Sequence, residues 1–242
     1  DLAERLTALD ARIADAARAV GRDPGALTRI VVTKFHPAQL VADLAALGVR
    51  DVGENRQQEL TAKRAALEQV EGPAADVRWH FIGQLQSNKA GAVTRWADVV
   101  QSVDRPKLVG ALARGAEAAG REVTALVQVD LDPAGGTGRG GAAPADVPAL
   151  ADAIASSPLR LGGLMAVAPL GADPEPAFAR LAALAEEYGF WVLEDDPYGE
   201  LCYTGEPMAP IASLPGMSAQ TILLNSVSKI IAPGVRIGWM RS

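Results

Sequence analysis

Lys34 closes the apolar run Ile30–Val31–Val32–Thr33, so its amine is expected to leave a hydrophobic strand at the strand's carboxyl end. Desolvation disfavours an ammonium ion, and the neutral amine is the form that attacks an aldehyde to make a Schiff base. Alone the signal is weak, because a lysine at a strand end is more often a solvated cap. Asn55, His80 and Met165 also fall late in apolar runs or just beyond them. Singly, His80 reads as a hydrogen-bonded core histidine and Met165 as a packing residue. His36, directly before Pro37, belongs to a helix start on the rim. Gly136–Gly141 satisfies G-x-G-x-x-G, the spacing of a dinucleotide loop, but no strand-ending acidic residue follows about 20 positions later.

These residues need elements to position them, and the chain supplies a regular alternation. Short apolar runs at Arg29–Lys34, Arg50–Asn55, Trp79–Gly83, Asp98–Val103, Thr124–Asp130 and Leu161–Val167 each lead into a helical pattern. The helices are predicted at Pro37–Leu47, Arg56–Gln69, Asn88–Trp96, Arg105–Ala119, Pro144–Ser157 and Pro174–Tyr188, several ending beside Gly48, Gly120 or Gly189. An opening helix carries a stripe of Leu6, Leu9, Ile13, Ala17 and Val20. Six strand-plus-helix units predict an α/β fold with a parallel sheet, since each parallel strand needs a crossover. A (β/α)8, TIM-barrel-like domain gathers its ligands at the carboxyl ends of its strands, where Lys34, Asn55, His80 and Met165 are expected. An open doubly wound sheet has the same local pattern.

After Glu187 the alternation is lost. Strand-like runs remain at Phe190–Leu193 and Thr221–Asn225, but Pro207, Pro210 and Pro215 make 205–219 a poor helix, so the barrel is expected to be incomplete or irregular after its sixth strand. Composition narrows the function classes. The chain has 242 residues, 49% of them hydrophobic, enough for a barrel-sized core. Its 23 basic against 29 acidic residues give a net charge of -6 with no dense basic run, which argues against a nucleic-acid partner. No apolar run reaches the roughly 20 residues that cross a bilayer, and a lone Cys202 permits no intrachain disulfide; a cytoplasmic, non-membrane protein is expected. Opening at Asp1 and stopping at Ser242 after a strand-like run, the sequence is expected to be truncated at either end.

Taken together, Val32–Thr33–Lys34, Gly53–Glu54–Asn55 with Gln58–Glu59, the eleven-residue block Trp79–Lys89, Ser102–Val103–Asp104 and Gly163–Leu164–Met165 resemble the pyridoxal phosphate homeostasis (YggS/PROSC) family over roughly Leu2–Ala185. The resemblance implies an alanine racemase-like barrel with pyridoxal 5'-phosphate on Lys34 as a Schiff base and a pocket lined by Asn55, His80 and Met165. It also implies a non-catalytic carrier or homeostasis role, with apo enzymes that use the cofactor as recipients, and a monomer or weak dimer. The family's seventh-strand Ser-x-Gly-Met-Ser and eighth-strand Arg-x-Gly segments, which cradle the phosphate, are expected to be missing here. An imine at Lys34 is then expected to be weaker and more easily reversed.

The tail carries other words. Glu194–Leu201 and Asn225–Met240 resemble class I/II fold-type I aminotransferases over about Leu184–Arg241. That resemblance implies Asp195 on the pyridinium nitrogen, Tyr198 on the phenolate oxygen, Lys229 as imine lysine, and Ser226 or Ser228 with Arg236 on the phosphate. Because only a small central part of an aminotransferase is covered, an aminotransferase-like enzyme using Lys229 is the alternative function, and an inactive hybrid another. The two sets of words meet near Leu181–Gly189. A hybrid is expected, with a barrel over 1–187 and a foreign C-terminal α/β segment over 188–242 that could supply the last two strands.

Overall fold

The computed structural model describes residues 1–19, 23–68, 72–132, 140–167, 175–189, 192–196, 221–226 and 238–241. Helix α1 (Leu2–Ala19) buries Leu6, Leu9, Ile13 and Ala17 of the expected stripe, and Val20 lies outside the described residues. The units that follow are β1 (Ile30–Val32) with α2 (Ala38–Ala46), β2 (Asp51–Glu54) with α3 (Gln57–Leu67), and β3 (Arg78–Phe81) with α4 (Ala90–Thr94). Next come β4 (Val99–Val103) with α5 (Pro106–Ala119), β5 (Thr124–Val129) with α6 (Val147–Ala155), and β6 (Arg160–Val167) with α7 (Glu175–Tyr188). Left-handed glycines follow α2, α5 and α7 at Gly48, Gly120 and Gly189, as the sequence predicts.

Strands β1 to β6 are parallel and lie in chain order. Pleating sends alternate side chains to opposite faces. On one face Val31, Val52, Trp79, Phe81, Val100, Val127 and Leu164 join the helices in the main core. On the other, Ile30 of β1 packs in one cluster with Val99 of β4, Leu126 of β5 and Met165 of β6. A first strand can meet the fourth to sixth only if the sheet curls round on itself, which is the barrel expectation and excludes a flat, open sheet.

Beyond β6 the regular alternation gives way. Strand β7 (Val192–Asp196) pairs parallel with β6, and β8 (Thr221–Ser226) pairs parallel with β7. Strand β9 (Gly238–Arg241) then turns back antiparallel to β8 and runs within 8 Å of β1. The result is a TIM-barrel-like α/β fold whose last part is irregular and built from the foreign segment. Among the described residues no helix is long and apolar enough to cross a membrane.

Candidate functional site at the carboxyl ends of the first strands

Strand β1 stops at Val32, so Lys34 sits in the turn two residues beyond it rather than at the end of the strand itself. The backbone around Lys34 is held from several sides. The Thr33 amide donates to the Gly53 carbonyl at 3.0 Å, and the Thr33 carbonyl accepts from the His36 amide at 3.1 Å and from Lys63 Nζ at 2.7 Å. The Thr33 hydroxyl donates to Glu54 Oε1 at 2.5 Å, and the same oxygen accepts from Lys63 Nζ at 2.5 Å. On the far side of Lys34, the Phe35 amide donates to Glu59 Oε2 at 2.7 Å. Phe35 has φ 67°, a left-handed conformation uncommon for a bulky residue, and the Arg56 guanidinium covers its exposed ring at 5.0 Å. Lys34 itself is half-buried.

Glu54 and Lys63 are both buried, in the layer between β2 and α3. Burial pushes the Glu54 carboxyl above its ordinary value, against the opposing pull of its hydrogen bonds from Lys63 and Thr33. Its second oxygen, Oε2, is buried without a hydrogen-bond partner among the described residues. Neither Lys63 nor a role for Glu59 emerged from the sequence. Glu59 stands among the words that resemble the family but without a role, and the i, i+4 spacing of the two on a predicted helix describes most exposed helical ion pairs equally well.

The other barrel candidates occupy two levels. Asn55 follows β2 on the exposed rim and lines a cleft of about 390 Å³ together with Arg56, Gln84, Lys89 and Arg105. Arg105 is held there by Asp104, by the Leu85 carbonyl at 2.8 Å and by Ser87. His80 and Met165 lie inside the curled sheet and do not line this cleft. His80 Nε2 meets Asp51 Oδ1 at 2.9 Å and its Nδ1 meets Gln101 Nε2 at 3.0 Å, so protein groups engage both ring nitrogens. That is the arrangement of a hydrogen-bonded core histidine. Met165 packs with Ile30, Val99 and Leu126.

In the tail, Asp195 lies at the carboxyl end of β7, in register with Val167 of β6 and Leu224 of β8. Ser226 ends β8 opposite Gly238 of β9. Tyr198, Ser228, Lys229 and Arg236 lie outside the described residues, as does the dinucleotide-like segment up to Arg139. The expected loss of the eighth-strand Arg-x-Gly segment does not hold: Arg236, Ile237 and Gly238 have that spacing, and Gly238 opens β9 at the carboxyl end of β8. Gly216, Met217 and Ser218 also repeat the last three residues of Ser-x-Gly-Met-Ser, but with Leu214 where its first serine would stand.

Comparison with known proteins finds two family models whose matches overlap over 146–188. A family model described as the alanine racemase N-terminal domain matches residues 5–188, and one for class I and II aminotransferases matches residues 146–242. The pyridoxal phosphate homeostasis protein of Mycobacterium tuberculosis is 41% identical over 197 residues, covering 75% of this chain and 75% of its own length. That of Corynebacterium glutamicum is 39% identical over 192 residues, covering 74% and 83%. Among solved structures, PipY of Synechococcus elongatus with pyridoxal phosphate (PLP) bound aligns at a TM-score of 0.62 and 31% identity, over 81% of this chain and 89% of that one.

Proposed function

The chain belongs to the family of pyridoxal phosphate homeostasis proteins, and from that premise we propose that it binds pyridoxal phosphate through Lys34 and serves as a carrier of the cofactor. The cofactor is pyridoxal 5'-phosphate and the role is homeostasis rather than catalysis. When bound, the cofactor supplies an aldehyde that an amine can capture and a ring that can accept electrons. The residues present fit it. The Lys34 amine has no hydrogen bond or ion pair among the described residues, so no competing partner has to be displaced. At the same rim, the cleft holding Arg56, Lys89 and Arg105 is rich in donors for a phosphate or other anion.

The observation that carries this reading is the placement of Lys34, in a turn at the carboxyl end of β1 whose backbone is fixed on both sides. In this reading Asn55 lines the approach to the amine, while His80 and Met165 support the site from beneath. The barrel spans residues 1–187 and the aminotransferase-like segment, 188–242, supplies its closing strands. Asp195, Tyr198, Ser226, Ser228, Lys229 and Arg236 are retained motif residues of that segment, not a second working site. Apo enzymes that use the cofactor are the recipients, in the cytoplasm, and the carrier is a monomer or weak dimer. Borohydride reduction of the cofactor-loaded protein followed by peptide mapping tests the assignment. The modified peptide is expected to contain Lys34; modification at Lys229 alone would instead support the aminotransferase-like alternative.

A further inference from the structure

The geometry points to Glu59 and Lys63 as positioning residues for Lys34, an inference that rests on Lys34 being the cofactor lysine. The two stand one turn apart on α3 and grip the peptide groups on either side of Lys34. Lys63 donates to the Thr33 carbonyl at 2.7 Å, and Glu59 accepts from the Phe35 amide at 2.7 Å. Both bonds involve a charged partner, the stronger class of hydrogen bond.

Each bond offsets something that would otherwise let the turn move. Phe35 is left-handed, a conformation that a bulky side chain disfavours, and the carboxylate on its amide rewards it for staying there. The Thr33 carbonyl has left the β1–β2 ladder, and the buried ammonium gives it a fixed partner in addition to the His36 amide. Lys63 is itself kept in place by Glu54 at 2.5 Å, which in turn holds the Thr33 hydroxyl. Among the described residues the cations beside Glu59 are Arg56 and Lys63, each at 3.9 Å and too distant to replace the hydrogen bond to Phe35, and the Glu54 carboxyl is the neighbouring acid. Helix α3 therefore fixes the Cα of Lys34 and the direction in which its side chain leaves the backbone. A lysine fixed in this way gives up little conformational freedom when it captures an aldehyde.

The test compares Glu59→Ala, Glu59→Gln, Lys63→Met and the uncharged pair Glu54→Gln/Lys63→Met with the full-length wild-type chain. Pyridoxal phosphate affinity and the rate of imine formation are read from visible absorbance, thermal midpoints from the apo proteins, and the labelled lysine from borohydride mapping. Glu59→Ala is expected to lose about tenfold in affinity or more while its label stays on Lys34 and its midpoint stays near wild type. Glu59→Gln, which keeps an acceptor oxygen, is expected to recover most of that loss. The uncharged pair, which strands no buried charge, is expected to fold and to show the same loss even if Lys63→Met does not fold. Wild-type affinity and rate in both Glu59→Ala and the uncharged pair would overturn the proposal. So would losses that only follow the thermal midpoint, with no recovery in Glu59→Gln. Absence of label from Lys34 in the wild-type protein would instead remove the underlying assignment, and this proposal with it.

Discussion

The Glu54 carboxylate and the Lys63 ammonium are buried 2.5 Å apart, and the turn that carries Lys34 hangs on them. Burial is the dominant influence on Glu54 and raises its carboxyl above the ordinary value of 4.5. A carboxyl raised in the folded state binds its proton more tightly there than in the unfolded chain. Its contribution to stability is complete below the unfolded value and is lost as pH rises through the folded one. The stability of the wild type relative to Glu54→Gln/Lys63→Met, read from denaturant midpoints, is therefore expected to fall as pH is raised from about 4 toward neutrality. Lys63→Met alone leaves the carboxylate buried and unpaired and is expected to cost about 3–5 kcal/mol. Lys34 was legible in the sequence because an apolar run ends in it and the neighbouring words match a family. Lys63 was not, because only the pairing of β1 on β2 brings Thr33 over α3. His80 shows the opposite lesson: taken singly it reads as a core histidine, and its two protein partners give it that arrangement.

At the scale of elements, the rim depends on a close approach between the ends of β2 and β3. A Cβ added to Gly83 would collide with the Asn55 carbonyl and with its side-chain oxygen, and backbone cannot swing aside as a flexible side chain can. Gly83→Ala is expected to destabilise the protein by about 1–3 kcal/mol and to weaken cofactor binding. Gly91→Ala on α4, where a Cβ meets nothing within 4 Å, is the control and is expected to be neutral or to stabilise by up to about 1 kcal/mol. Denaturant midpoints and cofactor titration of the two variants check both statements. The six early strands and helices follow their hydrophobic periods closely, but their ends do not. Thr33 is drawn off β1 by Lys63 and His36, and the helix predicted at Asn88–Trp96 divides into a 3-10 turn at Ser87–Lys89 and the short α4. Such boundaries are set by tertiary hydrogen bonds that a local pattern does not contain.

At the scale of the molecule, two families' segments share one sheet. The register Leu164↔Val192 through Val167↔Asp195 continues the parallel ladder across the join, and Val192↔Thr221 through Asp196↔Asn225 extends it. A strand with a short apolar run offers the same backbone ladder whatever family it came from, which is why an aminotransferase-like tail can stand where a racemase-like barrel needs strands. The antiparallel return of β9 toward β1 was not legible: pairing direction depends on where the chain lies in space, while the sequence shows only a final strand-like run. With β9 brought beside β1, the carboxyl ends of β1 and β2, and with them the turn that carries Lys34, form the rim on which the proposed function rests. The central claim is that this single amine holds the cofactor. Visible absorbance of Lys34→Ala with added pyridoxal phosphate tests it most directly: the imine band is expected to vanish while the thermal midpoint of the apo protein is unchanged, and an undiminished band in that variant would contradict the account.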